Sequence, residues 1–231
     1  MPDGTWRAFR TGPNQPINPA TDDLGAPADI SCEAWAINGV GQVVGNAAAV
    51  GAFRTAPNSP INPQTDGLGT LGGTGSGAYA INSSGQVAGV SESISGGTRK
   101  HLFRTDPNQP INPLSDDLGT LGTDDPLVRG MNDRGDIVGT LLTSEGADIQ
   151  RAFACLGSTI LDLNDVIEAG SGWKLEHAYD INNMGQIVGS GHLNAEFRAY
   201  RLDPIPEPAT WLTSIAGMIG FGFLRQWNRP A

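Results

Sequence analysis

Ala78-Tyr79-Ala80-Ile81-Asn82-Ser83-Ser84-Gly85-Gln86-Val87-Ala88-Gly89 reads as one β-hairpin. An alternating apolar strand runs to Ile81, four residues turn, and a short Val/Ile-type strand returns. Asn82 can cap the turn with its own side chain, and Gly85 can take the positive φ that a type I turn with a G1 bulge requires. The phrase recurs with its internal spacing kept at residues 37–45, 131–139 and 181–189, which aligns Gly41, Gly135 and Gly185 with Gly85. These glycines are backbone parts rather than phosphate cradles, and the loose fingerprint at residues 73–78 has no following helix to make it one.

A second phrase precedes each hairpin: Ala8-Phe9-Arg10-Thr11, Ala52-Phe53-Arg54-Thr55, Leu102-Phe103-Arg104-Thr105 and Arg151-Ala152-Phe153-Ala154, with an unpaired fifth copy at Arg198-Ala199-Tyr200-Arg201. The aromatic positions 9, 53, 103, 153 and 200 lie 44, 50, 50 and 47 residues apart, in the range of four-stranded propeller blades and kelch-type units. Insertions fall between the hairpin and the next aromatic, so they map to one loop class. Three repeats also carry a Pro-Asn-x-Pro-Ile-Asn-Pro insert, at residues 13–19, 57–63 and 107–113. Three prolines in seven residues exclude a central strand and predict a stiff, extended decoration at a sheet edge.

Composition agrees. Of 231 residues, 32 are Gly and 16 Pro, and 16% are charged, against roughly 25% in ordinary soluble domains. No repeat holds ten residues of helical periodicity. Each unit therefore offers about four short strands with an apolar face that it cannot bury alone, so neighbours must stack. The expected fold is all-β: a repeat-built β-propeller of about four blades or a segment of a larger one, with a β-solenoid as the alternative. The units run near residues 6–51, 52–100, 101–150 and 151–196, with a closing strand at 197–202, inside a repeat region spanning 1–203.

From residue 204 the pattern breaks into Pro204-Ile205-Pro206-Glu207-Pro208, then an apolar stretch over 209–224, then Arg225. The stretch is short of the roughly 20 residues of a comfortable membrane span. Trp211 at its start and Arg225, Trp227 and Arg229 at its end are interface and positive-inside features. Three glycines inside it disfavour a buried soluble helix. A short C-terminal hydrophobic helix used for membrane targeting is the expectation.

The net charge is −10, and the cations are twelve Arg with only Lys100 and Lys174, in no block. Nucleic acid is therefore not an expected partner. Cys32 and Cys155 stand in no metal-ligand spacing, and two separately buried thiols are preferred to a disulfide. Asp22, Asp23, Asp116 and Asp117, with Asp124-Asp125, are weak Ca²⁺ candidates, better read as turn caps. No other cofactor is expected. Arg134-Gly135-Asp136 spells an adhesion tripeptide at a turn position and is read as a turn. Arg10, Arg54, Arg104 and Arg201 recur at one position, giving either a ring for an acidic ligand or pairs with nearby Asp. No acid/base pair or nucleophile elbow stands out, so no catalytic residue is assigned.

The phrase Ala-Phe-Arg, then Leu-Gly-Thr-Leu-Gly, then Ala-x-x-Ile-Asn-x-x-Gly-Gln-Val-x-Gly resembles the bacterial extracellular HAF repeat family over about residues 5–203. His101-Leu102-Phe103 alone keeps that family's leading histidine. The tail is similar to a PEP-CTERM sorting signal, which implies export, recognition of Pro206-Glu207-Pro208 by an exosortase, removal of the apolar segment ending at Arg225, and delivery to the cell surface or exopolysaccharide matrix. No charged and apolar leader precedes Trp6, and a truncated start would account for both that and the uneven repeat count. The resulting expectation is a non-catalytic, exported surface or matrix protein that binds polysaccharide or protein, or serves structurally in a biofilm. The alternatives are a propeller-type carbohydrate hydrolase or lyase, and a calcium-assisted adhesin.

Overall fold

The computed structural model describes residues 6–12, 14–25, 31–48, 50–94, 99–121, 125–142 and 150–204, and the backbone of 224–226. Four antiparallel sheets follow one another along the chain, each with its strands in sequence order. The first holds β1 (Cys32–Ile37), β2 (Val43–Ala47) and β3 (Gly51–Arg54), and the second β4 (Gly72–Ile81), β5 (Val87–Ser93), β6 (Lys100–Arg104) and β7 (Asp117–Gly119). The third holds β8 (Asp125–Met131), β9 (Ile137–Leu142), β10 (Gln150–Leu156) and β11 (Thr159–Asp162). The fourth holds β12 (Trp173–Ile181), β13 (Ile187–Leu193), β14 (Glu196–Pro204) and β15 (Leu224–Gln226). Among the described residues there is no α-helix, only a single 3-10 turn at Leu163–Asp165.

The structural unit is offset by half from the repeated phrase. The hairpin supplies the first two strands of a sheet, and the aromatic phrase that follows supplies the third. A bridge between Phe53 and Gly67 begins a fourth strand for the first sheet, and a bridge between Phe9 and Asp23 marks the third-and-fourth-strand half of a preceding unit. Residues 197–202 lie within β14, which pairs with β13 on one side and β15 on the other.

Nearly all of the C-terminal segment expected as a hydrophobic helix lies outside the described residues. Leu224 and Arg225 stand in β15, with Pro204 facing Leu224 and Asp203 facing Arg225. The free edge of β14 needs a hydrogen-bonding partner, and β15 takes the place that β7 and β11 hold in their own sheets. Pro206, Glu207, Pro208 and residues 209–223 lie outside the described residues. No helix among the described residues is long and apolar enough to cross a membrane.

Consecutive sheets pack through the first strand of the later one: β4 lies against β1, β2 and β3, β8 against β4, β5 and β6, and β12 against β8, β9 and β10. The aromatic of each third strand points back into the preceding sheet. Phe103 shares a core cluster with Val44 and Ala52, Phe153 with Ala88 and Leu102, and Tyr200 with Val138 and Ala152. Each ring lies over a second-strand glycine (Gly45, Gly89, Gly139 or Gly189), where any Cβ would collide with the ring and with a first-strand carbonyl. That close approach explains the last glycine of the hairpin phrase.

Two further devices couple the sheets. Each turn Asn accepts hydrogen bonds at Oδ1 from two of its own turn's N–H groups, and the Nδ2 groups of Asn38, Asn82 and Asn132 reach the next repeat's Asn carbonyl at 3.2, 3.3 and 3.2 Å. Two of the three proline-rich inserts, at residues 57–63 and 107–113, are not edge decoration. Ile61 and Ile111 donate their N–H groups to the carbonyls of Leu24 and Leu68 and bury their side chains in the clusters shared with the preceding unit. The prolines hold an extended path that delivers the isoleucine there.

Candidate functional site

The first strand of every sheet carries a β-bulge at the same register. The extra residue is Trp35 in β1, Tyr79 in β4, Arg129 in β8 and Tyr179 in β12. A bulge leaves one residue unpaired and re-aims its side chain, which is why bulges gather beside binding sites. Here it sets an aromatic, aromatic, guanidinium and aromatic side chain at equivalent places in four consecutive sheets. Trp35 is 53% and Tyr179 46% exposed, Arg129 is exposed, and Tyr79 is half-buried.

The column is built as two platforms with a cation between. Trp35 and Tyr79 stand 5.7 Å apart between ring centroids, tilted by 52°. Tyr179 stacks on His177 at 5.6 Å and 16°, its hydroxyl is 2.9 Å from Ser190 Oγ, and His177 Nδ1 is 3.1 Å from Thr140 Oγ1. Burial holds the His177 pKa below the usual imidazole value, the Arg129 charge pushes the same way, and Glu176 opposes both. The imidazole under Tyr179 is thus biased toward its neutral form.

Beside Tyr79 a groove of about 810 Å³ opens between the first and second sheets, with Glu33, Asn46, Thr74, Glu92 and Lys100 among its walls. Glu33 is also a wall of a second groove, of about 430 Å³, with Trp6, Phe9 and Trp35. Thr74 donates both its N–H and its hydroxyl to Glu92. These bonds, aided by Lys100, hold the Glu92 carboxyl below its ordinary pKa. The floor is a mix of aromatic faces, one free carboxylate at Glu33 and one fixed at Glu92.

Three of the four recurring arginines serve as cross-links between units. Arg10, Arg54 and Arg104 donate Nη1 to the turn carbonyls of Gly41, Gly85 and Gly135, at 3.0, 3.2 and 2.8 Å. Arg201 pairs with Asp203 at 3.0 Å. The fourth copy has Ala154 in this place, and Arg134 reaches the next turn instead, donating to Asn183 O at 3.1 Å and lying against Gly185. Arg134 also holds Asp136 at 2.9 Å, so the Arg-Gly-Asp run is closed on itself within its turn.

The aspartates expected at turns are there. Asp22 and Asp116 accept from the N–H of Asn18 and Asn112 and from Thr21 and Ser115 hydroxyls. Asp23 pairs with Arg7 at 2.7 Å and caps Gly25. Asp117 accepts from Gly119 N, takes Ser93 Oγ at 3.3 Å and His101 Nδ1 at 2.9 Å. The carboxylate stands between hydroxyl and imidazole there, so no serine is activated by a histidine. Among the described residues, no three His, Cys, Asp or Glu side chains gather as a metal site. Cys32 and Cys155 are free and buried in different clusters.

Reasoning from the sequence passed over the bulged column. Its signal was present as an aromatic three residues before each turn Asn at Trp35, Tyr79 and Tyr179, but strict alternation gave that residue no special status. No protein-family model, curated protein or solved structure matches this chain.

Proposed function

We propose that this chain is a non-catalytic binding module of the bacterial surface or extracellular matrix, a segment of a propeller-type array that holds a polysaccharide strand along the bulged column. The single observation that carries the reading is the placement of Trp35, Tyr79, Arg129 and Tyr179 at one bulged register of four successive sheets. A sugar ring has an apolar C–H face that stacks on an aromatic ring, and hydroxyls and carboxylates that hydrogen-bond around it. A repeated ligand suits a repeated site. Arg129 would take a carboxylate or hydroxyl of the sugar as a forked donor.

The groove chemistry favours binding over hydrolysis. A glycosidase needs one carboxyl kept protonated to donate to the leaving oxygen. Glu92 is held the other way, its carboxyl kept below its ordinary pKa by Thr74, so it does not supply that acid. Export, an exosortase as processing partner and transient membrane attachment rest on the resemblance of the tail at Pro206-Glu207-Pro208. A calcium-assisted adhesin is the weaker reading, because Asp22, Asp23, Asp116 and Asp117 already spend their oxygens on turns and partners.

The test is isothermal titration of the full chain with soluble acidic and neutral bacterial polysaccharides, with the Trp35→Ala, Tyr79→Ala pair of substitutions as the comparison. Truncating two aromatic anchors costs about 2–4 kcal/mol of binding, or roughly 30- to 1000-fold in Kd. Unchanged affinity would remove the column from the account. Release of reducing ends during the titration would replace binding with hydrolysis.

A further inference from the structure

We infer that the sugar held between the first and second sheets is an amino sugar, its protonated amine seated against Trp35 and Tyr79 and paired with Glu33. This rests on the polysaccharide reading above and names the kind of residue that this part of the column takes. Trp35 and Tyr79 stand 5.7 Å apart between ring centroids, with their planes tilted by 52°. Glu33 lines both the groove of about 810 Å³ that holds Tyr79 and the groove of about 430 Å³ that holds Trp35, so one carboxylate borders both rings. A cation within about 6 Å of an aromatic centroid is drawn to the ring face, most strongly at Trp. A carboxylate beside it accepts the charge-assisted hydrogen bonds that an ammonium donates.

The repeat architecture does not require Glu33. The equivalent first-strand places hold Gly77, Leu127 and His177, each with its carbonyl against the second-strand glycine as that of Glu33 is. A side chain needed by every unit would recur, as the turn Asn does, yet the carboxylate stands in the first sheet alone. It is exposed and, among the described residues, makes no hydrogen bond or ion pair. The other charges around it are matched. Glu92 accepts from Thr74 and faces Lys100 across the β5–β6 pair, and Arg7 pairs with Asp23 at 2.7 Å. Glu33 is therefore the unbalanced charge of both grooves.

Gly77 completes the floor. A Cβ there would stand 2.9 Å from the Tyr79 hydroxyl and 3.0 Å from its ring, so the glycine lets that ring lie along its own strand. The net charge of −10 acts in the same direction, gathering cations and repelling polyanions. Arg129, two sheets further on, meets a hydroxyl of such a polymer rather than its amine.

The experiment is isothermal titration of the full chain at about pH 6, where a sugar amine, like an α-amino group, is protonated. The probes are oligomers of equal length of glucosamine, of N-acetylglucosamine and of a uronic acid. The glucosamine oligomer is expected to bind most tightly. Glu33→Gln is expected to weaken it about five- to tenfold, the difference between a charge-assisted and a neutral hydrogen bond, with little change for the N-acetylglucosamine oligomer. Glu168→Gln, an equal change of charge on the exposed loop before β12, is expected to leave both unchanged. Equal losses in the two variants mean that net charge alone attracts the amine, and overturn the inference. Tighter binding of the acetylated or uronic oligomer overturns it too; if the Trp35→Ala, Tyr79→Ala pair then abolishes that binding, the polysaccharide reading stands without the amine. Binding of none of the oligomers overturns both.

Discussion

Removing Asn132 tests how the sheets are joined. Its side chain is buried, and Asn132→Ala deletes four hydrogen bonds at once. Oδ1 accepts from Arg134 N and Asp136 N, each at 3.0 Å, and Nδ2 donates to Asp136 Oδ2 at 2.9 Å and to Asn182 O at 3.2 Å. Three of these are neutral bonds, each contributing about 1 kcal/mol, and the one to the Asp136 carboxylate contributes about 1.5–3 kcal/mol. Asp136 keeps Arg134 as a partner, which limits the cost of its lost donor, so the expected destabilisation is about 3 kcal/mol. Asn182 makes the same three bonds within its own turn but is exposed, and among the described residues no second carbonyl takes its Nδ2. Water replaces its bonds, and Asn182→Ala is expected to cost about 1 kcal/mol. Urea denaturation of both variants at neutral pH gives the two values from midpoint and slope. Equal costs, or less than about 1 kcal/mol for Asn132→Ala, would refute the idea that the asparagines carry coupling from sheet to sheet.

Three further outcomes follow from the packing and the titrating groups. Phe103→Ala is expected to cost about 3–5 kcal/mol and Phe9→Ala less than about 0.5 kcal/mol, because only the first ring is buried; thermal melts of the two variants read the difference. The His177 pKa is lowered in the folded state from its ordinary 6.5, so its contribution is complete above that value and is lost as pH falls through the folded pKa. The drop in urea midpoint between pH 7.5 and pH 5 should therefore shrink in His177→Leu. Burial pushes the Cys155 thiol up to about 11 and raises that of Cys32 as well. A thiol reagent should label neither cysteine in the native protein and both in urea.

Much of this fold is legible in the chain because its governing signals are local. The turn Asn and the Gly three residues later fix each hairpin, and Gly41, Gly85, Gly135 and Gly185 all adopt φ between +79° and +81°. Period and strand type follow from the hairpins. What escaped is what depends on a neighbouring unit. The role of Ile61 and Ile111 is set by a groove in the preceding sheet, so their flanking prolines alone suggest an exposed loop. Arg54 and Arg104 reach out of their own repeat, donating to carbonyls 31 residues downstream. The bulge that lifts Trp35 and Tyr179 out of the ladder comes from register against the second strand, which alternation along one strand does not encode.

The most direct test of the account is a nuclear magnetic resonance titration of the full chain with a polysaccharide fragment long enough to span two or more sheets. The Trp35 indole and the Tyr79 and Tyr179 rings should shift together, along one binding curve, while Phe53, Phe103 and Phe153 stay unmoved in the core. Saturable shifts confined to residues away from the bulged register would contradict the account.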